Sequence, residues 1–265
     1  QNMSQKKIFQ PFMIKMWTIL FLAFQLEIVI SQDTPSERAQ ELLDQMSLHE
    51  KIELLHGVPG LYVGNVQSND RLGIPALKLN DGPQGFRDTE RPGTSTCFPS
   101  GLTVGATWDV SLAKLWGNAM GEEFRAKGAN VQLGPGMNVA RVANNGRNFE
   151  YMSGEDPYLG SVMVPAAIEG IQSQGIIANA KHFINNNQET NRYGDNAVVD
   201  ERTMMEIYMP PFESAVKNGV GSIMCSYNRI TASTYQDPQN SSWSCENRDT
   251  LTTVLKERFG FQGWV

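Results

Sequence analysis

The chain has 265 residues, of which 40% are hydrophobic and 19% are charged, a balance typical of a globular protein rather than a disordered or fibrous one. Its 22 Lys and Arg residues against 28 Asp and Glu residues give a net charge of −6. That charge argues against a nucleic-acid partner, because such partners select a basic surface. The three Cys and three His show neither the CxxC nor the HExxH spacing, which excludes the common zinc frameworks.

The first 31 residues have the pattern of a secretory signal peptide. Three Lys residues precede an apolar run over residues 16–30, and Val29 and Ser31 occupy the −3 and −1 positions of a cleavage site. The apolar run is short and interrupted for a membrane span, so an uncleaved anchor is the weaker alternative. We expect residues 1–31 to be removed, residues 32–265 to be secreted, and no membrane association after cleavage.

Secretion permits disulfides and N-glycosylation in the mature chain. Cys225 and Cys245 flank the loop after one predicted strand and enclose about twenty residues, so we expect them to form a disulfide worth roughly 3 kcal/mol by chain entropy. Cys97 is then the odd thiol, either free or paired with a downstream Cys. Asn240 begins an Asn-Ser-Ser sequon and is the candidate glycosylation site, on a surface loop.

The rest of the chain alternates amphipathic helices with short apolar strands. The predicted helices have a capping residue at the start or a glycine past the end, and they cover residues 36–46, 47–57, 111–127, 160–173, 201–218 (kinked at Pro210 and Pro211) and 249–259. The predicted strands begin near residues 77, 130, 176, 222 and 263. Because a helix lies between each strand and the next, the order predicts a parallel sheet with right-handed crossovers.

Serial strand–helix units are compatible with a closed (β/α)8 TIM-like barrel and with an open doubly wound sheet. The barrel is favoured because polar residues follow several different strands, as the catalytic groups of barrels do. These residues are Asp81, Asn138, Lys181, His182 and Tyr227. The chain supplies five or six of the roughly eight units that a barrel needs, so we expect the barrel to be incomplete in this chain.

Two segments carry side chains suited to a polyhydroxylated ligand. Asp81 directly follows a strand, where its carboxylate can accept hydrogen bonds from two neighbouring sugar hydroxyls, although Asp-Gly-Pro also suits an Asx-turn. Arg147 lies in a loop dense with Asn and Gly, and taken alone it is best interpreted as a surface Arg. Glu150, Glu155 and Asp156 resemble a paired acid and base, but the Asp-Pro pair also starts a helix, so we interpret all three as structural.

Lys181 and His182 end an apolar strand, where a solvated charge is unusual, so we expect this cation pair to donate hydrogen bonds to sugar hydroxyls. Adjacent strand residues point to opposite faces, so both reach one pocket only if the strand has ended. Tyr227 ends the next strand, where its hydroxyl can orient a carboxylate nucleophile and its ring can pack a sugar, although a core Tyr fits equally. Trp108 and Trp116 are interpreted as core residues.

Five motifs then occur in order: Asp-Gly-Pro-x-Gly-x-Arg, Gly-Arg-Asn-Phe-Glu, Gly-Glu-Asp-Pro-Tyr, Lys-His-Phe-Ile-x-Asn-x-Gln-Glu and Met-Cys-Ser-Tyr-Asn. From about Thr34 to Val265 the chain resembles the N-terminal domain of family 3 glycoside hydrolases of the β-glucosidase type. The resemblance implies a TIM-like barrel followed by an α/β sandwich domain, and a retaining mechanism without a metal or organic cofactor. The residues that it places around the non-reducing-end sugar are Asp81, Arg87, Arg147, Lys181, His182, Met224 and Tyr227.

Two departures from the family pattern bear on activity. Members that remove N-acetylglucosamine usually carry a Gly-His-Gly-Asp loop after Lys-His-Phe, whereas residues 184–189 read Ile-Asn-Asn-Asn-Gln-Glu, which indicates glucosidase or xylosidase chemistry. The family nucleophile is an Asp in a Ser-Asp-Trp triplet after Gly-Phe-x-Gly-Phe-Val, and the present sequence ends at that point, with Val265. We therefore expect the nucleophilic Asp and the acid/base Glu beyond Val265, and no activity from these 265 residues alone.

The resulting prediction is a secreted exo-acting enzyme that hydrolyses terminal non-reducing β-D-glucosyl residues with retention of configuration, acting on a β-glucoside or oligosaccharide. A β-xylosidase of the same family is the alternative within the class. From other classes, a lyase or aldolase barrel would use Lys181 to form a Schiff base, and a non-catalytic protein would use the same residues to bind a sugar.

Overall fold

A computed structural model describes residues 34–232 and 241–265, which divide into two units at residues 52 and 53. The predicted signal peptide, its cleavage site and the predicted glycosylation of Asn240 lie outside the described residues. Within the two described ranges, no helix combines the length and the apolar character needed to cross a bilayer.

Two capped helices characterise the first unit: α1 (Pro35–Gln45) and α2 (Leu48–Glu53). At the start of α1, the Thr34 hydroxyl accepts from the Glu37 amide and the Glu37 carboxylate accepts from the Thr34 amide. Ser47 and Glu50 form the same reciprocal pair, a capping box, at the start of α2. Each pair satisfies amide donors that a helix N-terminus leaves without intrahelical partners.

In the second unit the strands and helices alternate in the predicted order. The sheet has the strand order β1, β2, β3, β4, β6, where β1 (Gly64–Val66) is antiparallel to β2 (Leu77–Asn80), and β3 (Val131–Gln132), β4 (Ile177–Phe183) and β6 (Ser222–Cys225) continue in parallel. A parallel bridge from Ser222 to Trp264 extends the sheet beyond β6. The predicted strands near residues 77, 130, 176 and 222 are confirmed, and the fifth, near residue 263, is present only as the single bridge at Trp264.

The described helices between these strands are α3 (Gly101–Gly105), α4 (Val110–Ala126), α5 (Pro157–Ser173), α6 (Glu201–Thr203) and α7 (Pro210–Lys217), with π-helical stretches at Met204–Tyr208 and Asp249–Arg258 and a 3-10 turn at Asn148–Glu150. The Asp109 carboxylate caps α4 by accepting from the amides of Ser111 and Leu112. Asp156 caps α5 in the same way, and Pro157 is its first residue. The helix therefore begins three residues before the predicted start, at the Asp-Pro signal itself.

The segment 201–218 differs from the single kinked helix that was predicted. Pro210 has no N–H to donate to the turn before it, and the Met209 amide bonds to the Met204 carbonyl five residues back. A new helix, α7, then starts at Pro210. A small sheet of β5 (Asn196–Val199), β7 (Arg229–Ala232) and β8 (Ser242–Trp243) was also not predicted, because strands of two to four residues carry little periodicity.

Helices α4 and α5 pack closely together over a hydrophobic cluster that includes Ala178 and Ala180 of β4. Their approach depends on glycine, because a Cβ at Gly117 or at Gly170 would lie 2.2 Å from a backbone oxygen of the other helix. The core interpretation is confirmed for Trp116, which is one of the buried residues of α4. It is wrong for Trp108, which directly precedes the cap of α4 and is exposed.

One disulfide joins the end of β6 to the segment after β8. It links Cys225 and Cys245, with Cα atoms 5.1 Å apart, as the sequence predicted. Cys97 is a free, exposed thiol. The crosslink holds the segment after β8 beside the end of β6, where Tyr227 lies.

Candidate functional site

A buried carboxylate joins two cations where β3 and β4 end. The Oε2 atom of Glu150 accepts from Nε of Arg147 at 2.6 Å, and Oε1 accepts from Nη2 at 2.9 Å, so the arginine is bound at two points. The ammonium of Lys181 lies 3.0 Å from Oε1. Because the Glu150 and Lys181 side chains are 6% and 4% exposed, each of these charges is compensated away from bulk water.

Local backbone structure brings these side chains together. The 3-10 turn Asn148–Glu150 follows Arg147, and residues three apart lie on the same side of such a turn. The backbone of Gly136, just after β3, forms bridges with both Tyr151 and Lys181. The turn is therefore held against the end of β4, and the carboxylate meets a lysine from a different strand.

The proton of His182 is assigned by its two neighbours. Nη2 of Arg147 lies 3.2 Å from Nε2 and can only donate, so Nε2 accepts and the ring proton is on Nδ1, 3.1 Å from the Tyr151 hydroxyl. Burial, with the charges of Lys181, Arg147 and Arg192, lowers the pKa of His182 well below its usual 6.5. His182 is therefore neutral at pH 7, and the expected cation pair of Lys181 and His182 is wrong.

The protonation of Glu150 follows from opposing causes. Burial by itself would raise the pKa of Glu150, but the hydrogen bonds from Arg147 and the charge of Lys181 lower the pKa below its usual 4.5. Burial raises the pKa of the neighbouring Tyr151 hydroxyl. Glu150 is thus an ionised counter-ion for the two cations and does not have the raised pKa of a general acid.

Lys181 and His182 reach one cluster although β4 continues through both of them to Phe183. The pairing register between β4 and β6 shifts between Ala180 and Phe183, and this irregularity interrupts the alternation of side chains. The amide of His182 donates to the side-chain oxygen of Asn138 at 2.6 Å. The expectation that the strand must end before these residues is therefore wrong, because a register shift has the same effect.

Asp81 and Arg87 form a second, more open pair at the end of β2. Nη1 of Arg87 lies 3.2 Å from Oδ2 of Asp81, whose side chain is 31% exposed. The turn between them is closed by backbone bonds, from the Gly82 amide to the Gly85 carbonyl and from the Arg87 amide to the Asp81 carbonyl. The Asp81 carboxylate accepts from the Arg87 side chain and not from a backbone amide, as an Asx-turn would require. The Asx-turn interpretation is therefore wrong, and the carboxylate is available to a ligand.

Tyr227 follows β6 and packs on the ring of Tyr193, with centroids 4.7 Å apart and planes inclined at 52°. The guanidinium of Arg192 lies 4.9 Å from the Tyr227 centroid and 5.0 Å from that of Tyr193. The Glu189 carboxylate accepts from Arg192 at 2.9 Å and lies 3.8 Å from Nη1 of Arg147. Tyr227 is 50% exposed, so the alternative of a core tyrosine is wrong.

The remaining candidates are placed as follows. Met224 is half-buried on β6, Glu155 is exposed, and Asp156 is the cap of α5, which confirms the structural interpretation of Asp156. Glu150 is not merely a turn residue, since it binds two cations. The available signal for it was the opposite charge of Arg147 three residues earlier. The sequence analysis missed four further residues that contact these side chains, which are Tyr151, Glu189, Arg192 and Tyr193.

Two cavities lie next to Arg87. One of about 260 Å³ is lined by residues that include Tyr62, Phe86, Asp88 and Lys127, and one of about 300 Å³ is lined by residues from Gly82 to Arg87 and from Ser95 to Cys97. Both are near the small end of ligand pockets, about 300 Å³. Neither cavity is lined by the cluster of Arg147, Glu150 and Lys181.

Comparison with known proteins identifies the family. The sequence profile described as "Glycosyl hydrolase family 3 N terminal domain" matches residues 53–265. Beta-glucosidase A of Aspergillus kawachii (strain NBRC 4308) is 42% identical over 246 residues, covering 86% of this chain and 27% of that protein. A beta-glucosidase of Rhizobium radiobacter is 42% identical over 229 residues, covering 85% of this chain and 26% of that protein. The chain spans about a quarter of the length of these relatives.

Solved structures give the same result for the fold. A β-glucosidase from Streptomyces venezuelae in complex with D-glucose has a TM-score of 0.78 and 41% identity, over 86% of this chain and 28% of that one. β-Glucosidase 3B from Thermotoga neapolitana in complex with α-D-glucose has a TM-score of 0.77 and 38% identity, over 86% and 33% of the two chains. The parallel strands of this chain are thus part of a TIM-like barrel, and the open doubly wound alternative is wrong.

Proposed function

We propose, from the premise that this chain belongs to glycosyl hydrolase family 3, that the full-length protein hydrolyses terminal non-reducing β-D-glucosyl residues with retention of configuration. Relatives named beta-glucosidase at 42–44% identity and solved β-glucosidases in complex with glucose support this substrate class. The observation in this chain that carries the proposal is the buried carboxylate of Glu150 with its two cations at the strand ends, because catalytic barrels gather charged groups on that face.

Each candidate has a role in this proposal that follows from its surroundings. The partly exposed carboxylate of Asp81 accepts hydrogen bonds from sugar hydroxyls, with Arg87 beside it, while Arg147 and Lys181 donate to other hydroxyls. Met224 and Tyr227 supply apolar contact. The ring nitrogens of His182 already contact Arg147 and Tyr151, so His182 acts by orienting these neighbours rather than by donating as a cation.

The reaction itself needs two carboxyl groups that the proposal places outside this chain. A nucleophilic Asp attacks the anomeric carbon and expels the leaving group, which takes a proton from an acid/base Glu. That Glu then removes a proton from the water that releases the sugar. The subsite built by this chain binds the glucosyl ring through both steps, and contacts that strengthen as the oxocarbenium-like state forms accelerate them.

The Schiff-base alternative is disfavoured by the contact of Lys181. A lysine that forms a Schiff base attacks as the neutral amine. The Lys181 side chain is buried in an ion pair with Glu150, which a neutral amine would forfeit. Sodium borohydride with a carbonyl substrate tests this alternative directly, and we expect no trapped adduct.

The proposed hydrolase function is tested on the full-length protein with 4-nitrophenyl β-D-glucoside and 4-nitrophenyl β-D-xyloside. We expect faster turnover of the glucoside, and proton NMR should show the β-anomer of glucose as the first product. Faster turnover of the xyloside would favour the xylosidase alternative. Sugar binding without turnover of either compound would favour the non-catalytic alternative.

The proposal also includes secretion of a mature chain that starts at Gln32 and carries glycan on Asn240. Mass spectrometry of the protein recovered from culture medium, before and after enzymatic deglycosylation, tests both points. Retention of the first 31 residues in the cell-associated protein would contradict the cleavage site.

A further inference from the structure

Two exposed tyrosines from different loops are held together by an arginine at the edge of the candidate site. Tyr193 lies between β4 and β5 and is 62% exposed, while Tyr227 follows β6 and is 50% exposed. Arg192 lies within 5.0 Å of both ring centroids, and its Nη2 donates to the Tyr193 hydroxyl at 3.0 Å. These contacts fix the orientation of two aromatic rings that face solvent.

A fixed, exposed aromatic surface suits one class of ligand group. The face of an aromatic ring is electron-rich, so it attracts the weakly positive C–H groups of a sugar face or the edge of a second aromatic ring. Rings that are already held in place lose little conformational freedom when a ligand covers them. The pair therefore suits a flat group with an apolar face, either a sugar ring or an aryl ring.

The position of the pair relates it to the sugar subsite. Tyr227 belongs to the residues proposed to contact the glucosyl ring. The ring of Tyr193 packs on that of Tyr227, with centroids 4.7 Å apart, and is the more exposed of the two, at 62% against 50%. Glu189 contacts Arg192 at 2.9 Å and lies 3.8 Å from Arg147, so the same carboxylate borders both groups. A glycoside consists of a glucosyl ring and a leaving group. A pair of rings that lies next to the glucosyl subsite and nearer to solvent is suited to contact the leaving group.

We propose that Tyr193, held against Tyr227 by Arg192, packs on the leaving group of the glycoside and selects substrates whose leaving group is a sugar or an aryl ring. This inference rests on the proposed hydrolase function. It makes Tyr193 and Arg192 specificity-determining residues, with no part in bond cleavage.

The test compares leaving groups of different size in the full-length protein. We expect Tyr193→Ala to lower kcat/KM about tenfold for 4-nitrophenyl β-glucoside and for a β-linked glucose disaccharide, within the range for a lost pocket contact. Turnover of β-glucosyl fluoride, whose leaving group is a single atom, should change less than twofold. Tyr193→Phe keeps the ring and should retain most activity on all three substrates.

Tyr158→Ala is the matched control, because Tyr158 is also exposed and has no aromatic partner among residues 34–232 and 241–265. It should not change the ratio between the substrates. Equal losses on the fluoride and the larger substrates for Tyr193→Ala would assign a general structural role to Tyr193, and no loss on any substrate would show that it makes no contact. Either result overturns the proposal.

A binding measurement separates this proposal from the hydrolase proposal. Phenyl and methyl 1-thio-β-glucosides differ only in the group at the leaving position, and their binding is measured by calorimetry. Tyr193→Ala should weaken binding of the phenyl compound about tenfold and leave that of the methyl compound unchanged. Equal binding changes for the two overturn the role of Tyr193, whereas failure of the parent protein to hydrolyse any glucoside contradicts only the hydrolase function.

Discussion

Two buried carboxylates, Glu150 and Asp88, are bound in the same way in different parts of the second unit. Each forms an ion pair with one Arg three residues away in the sequence and with one Lys from a distant element. Their side chains are 6% and 5% exposed. Since the carboxylates and their partners have the same chemistry, any difference in role must come from what else the cations contact.

The cations around Asp88 connect parts of the fold. Lys127, at the end of α4, donates to Asp88 at 3.0 Å and to Thr94 at 2.9 Å, and its ammonium lies 5.3 Å from the centroid of the Phe86 ring. Arg91 is mostly exposed. These contacts anchor the loop over residues 88–94 to α4. The charges of Asp88 and Lys127 are paired with each other within the protein.

The cations around Glu150 lie where the parallel strands end. Arg147 also contacts His182, and Lys181 comes from β4 itself, so the group belongs to the face on which barrels bind ligands. A buried ion cluster with lowered carboxylate pKa values therefore does not by itself identify a functional site. The position of the cluster relative to the strand ends is what distinguishes Glu150 from Asp88.

The largest effect is expected for Asp81. Its carboxylate differs from those of Glu150 and Asp88 because it is partly exposed and has a single Arg partner. Asp81→Ala in the full-length protein should lower kcat/KM for an aryl β-glucoside at least about 100-fold, because a charged hydrogen bond to substrate is lost where it strengthens in the transition state. Glu155→Ala, which removes an exposed carboxylate elsewhere in the chain, is the control. A greater loss for Glu155→Ala than for Asp81→Ala would contradict the assignment.

The next largest effect is expected for Glu150→Gln, which keeps the shape of the side chain and removes its charge. Two cations then lose their counter-ion, so the free energy of unfolding should fall by about 3 kcal/mol. We also expect kcat/KM to fall about 30-fold, because Arg147 and Lys181 are no longer held in place. Urea unfolding and steady-state kinetics on the folded variant measure the two effects separately.

Asp88→Asn makes the corresponding change in the second cluster. The melting temperature should fall, because Lys127 and Arg91 lose the same kind of counter-ion. The value of kcat/KM should stay within about twofold of the parent, since this cluster fastens a loop and a helix. If both variants lost activity equally, the distinction drawn here between the two clusters would be wrong.

The smallest effect is a change in the pH dependence of stability. The pKa of His182 is lowered in the folded protein, so below pH 6.5 the unfolded chain binds a proton that the folded chain does not. The free energy of unfolding should therefore decrease as pH falls from 6.5 to 5, by up to about 1.4 kcal/mol per pH unit. Glu150, with a lowered pKa, and Asp88, with a pKa of about 2, stay ionised in this window.

His182→Gln should remove that pH dependence, because Gln does not titrate. Urea unfolding of parent and variant at pH 5, 6 and 7 measures the difference. An identical slope in the two proteins would show that His182 titrates normally in the folded state.

Local chemistry allowed the order of the elements to be predicted from the sequence. The strands near residues 77, 130, 176 and 222 follow from apolar runs, and the starts of α4 and α5 follow from Asp109 and Asp156, which bind amides within three residues. The disulfide between Cys225 and Cys245 was equally predictable from their positions around one loop. These features depend on neighbours in the chain, so the sequence alone determines them.

Only the tertiary structure decided the charges and contacts of the site. Glu150 becomes a counter-ion because Lys181 arrives from another strand, and His182 is neutral because burial and distant cations disfavour its proton. Tyr193 meets Tyr227 because the loops after β4 and β6 come together. Burial and electrostatic interactions depend on distance in space, which residues far apart in the sequence acquire only when the strands pair and the helices pack.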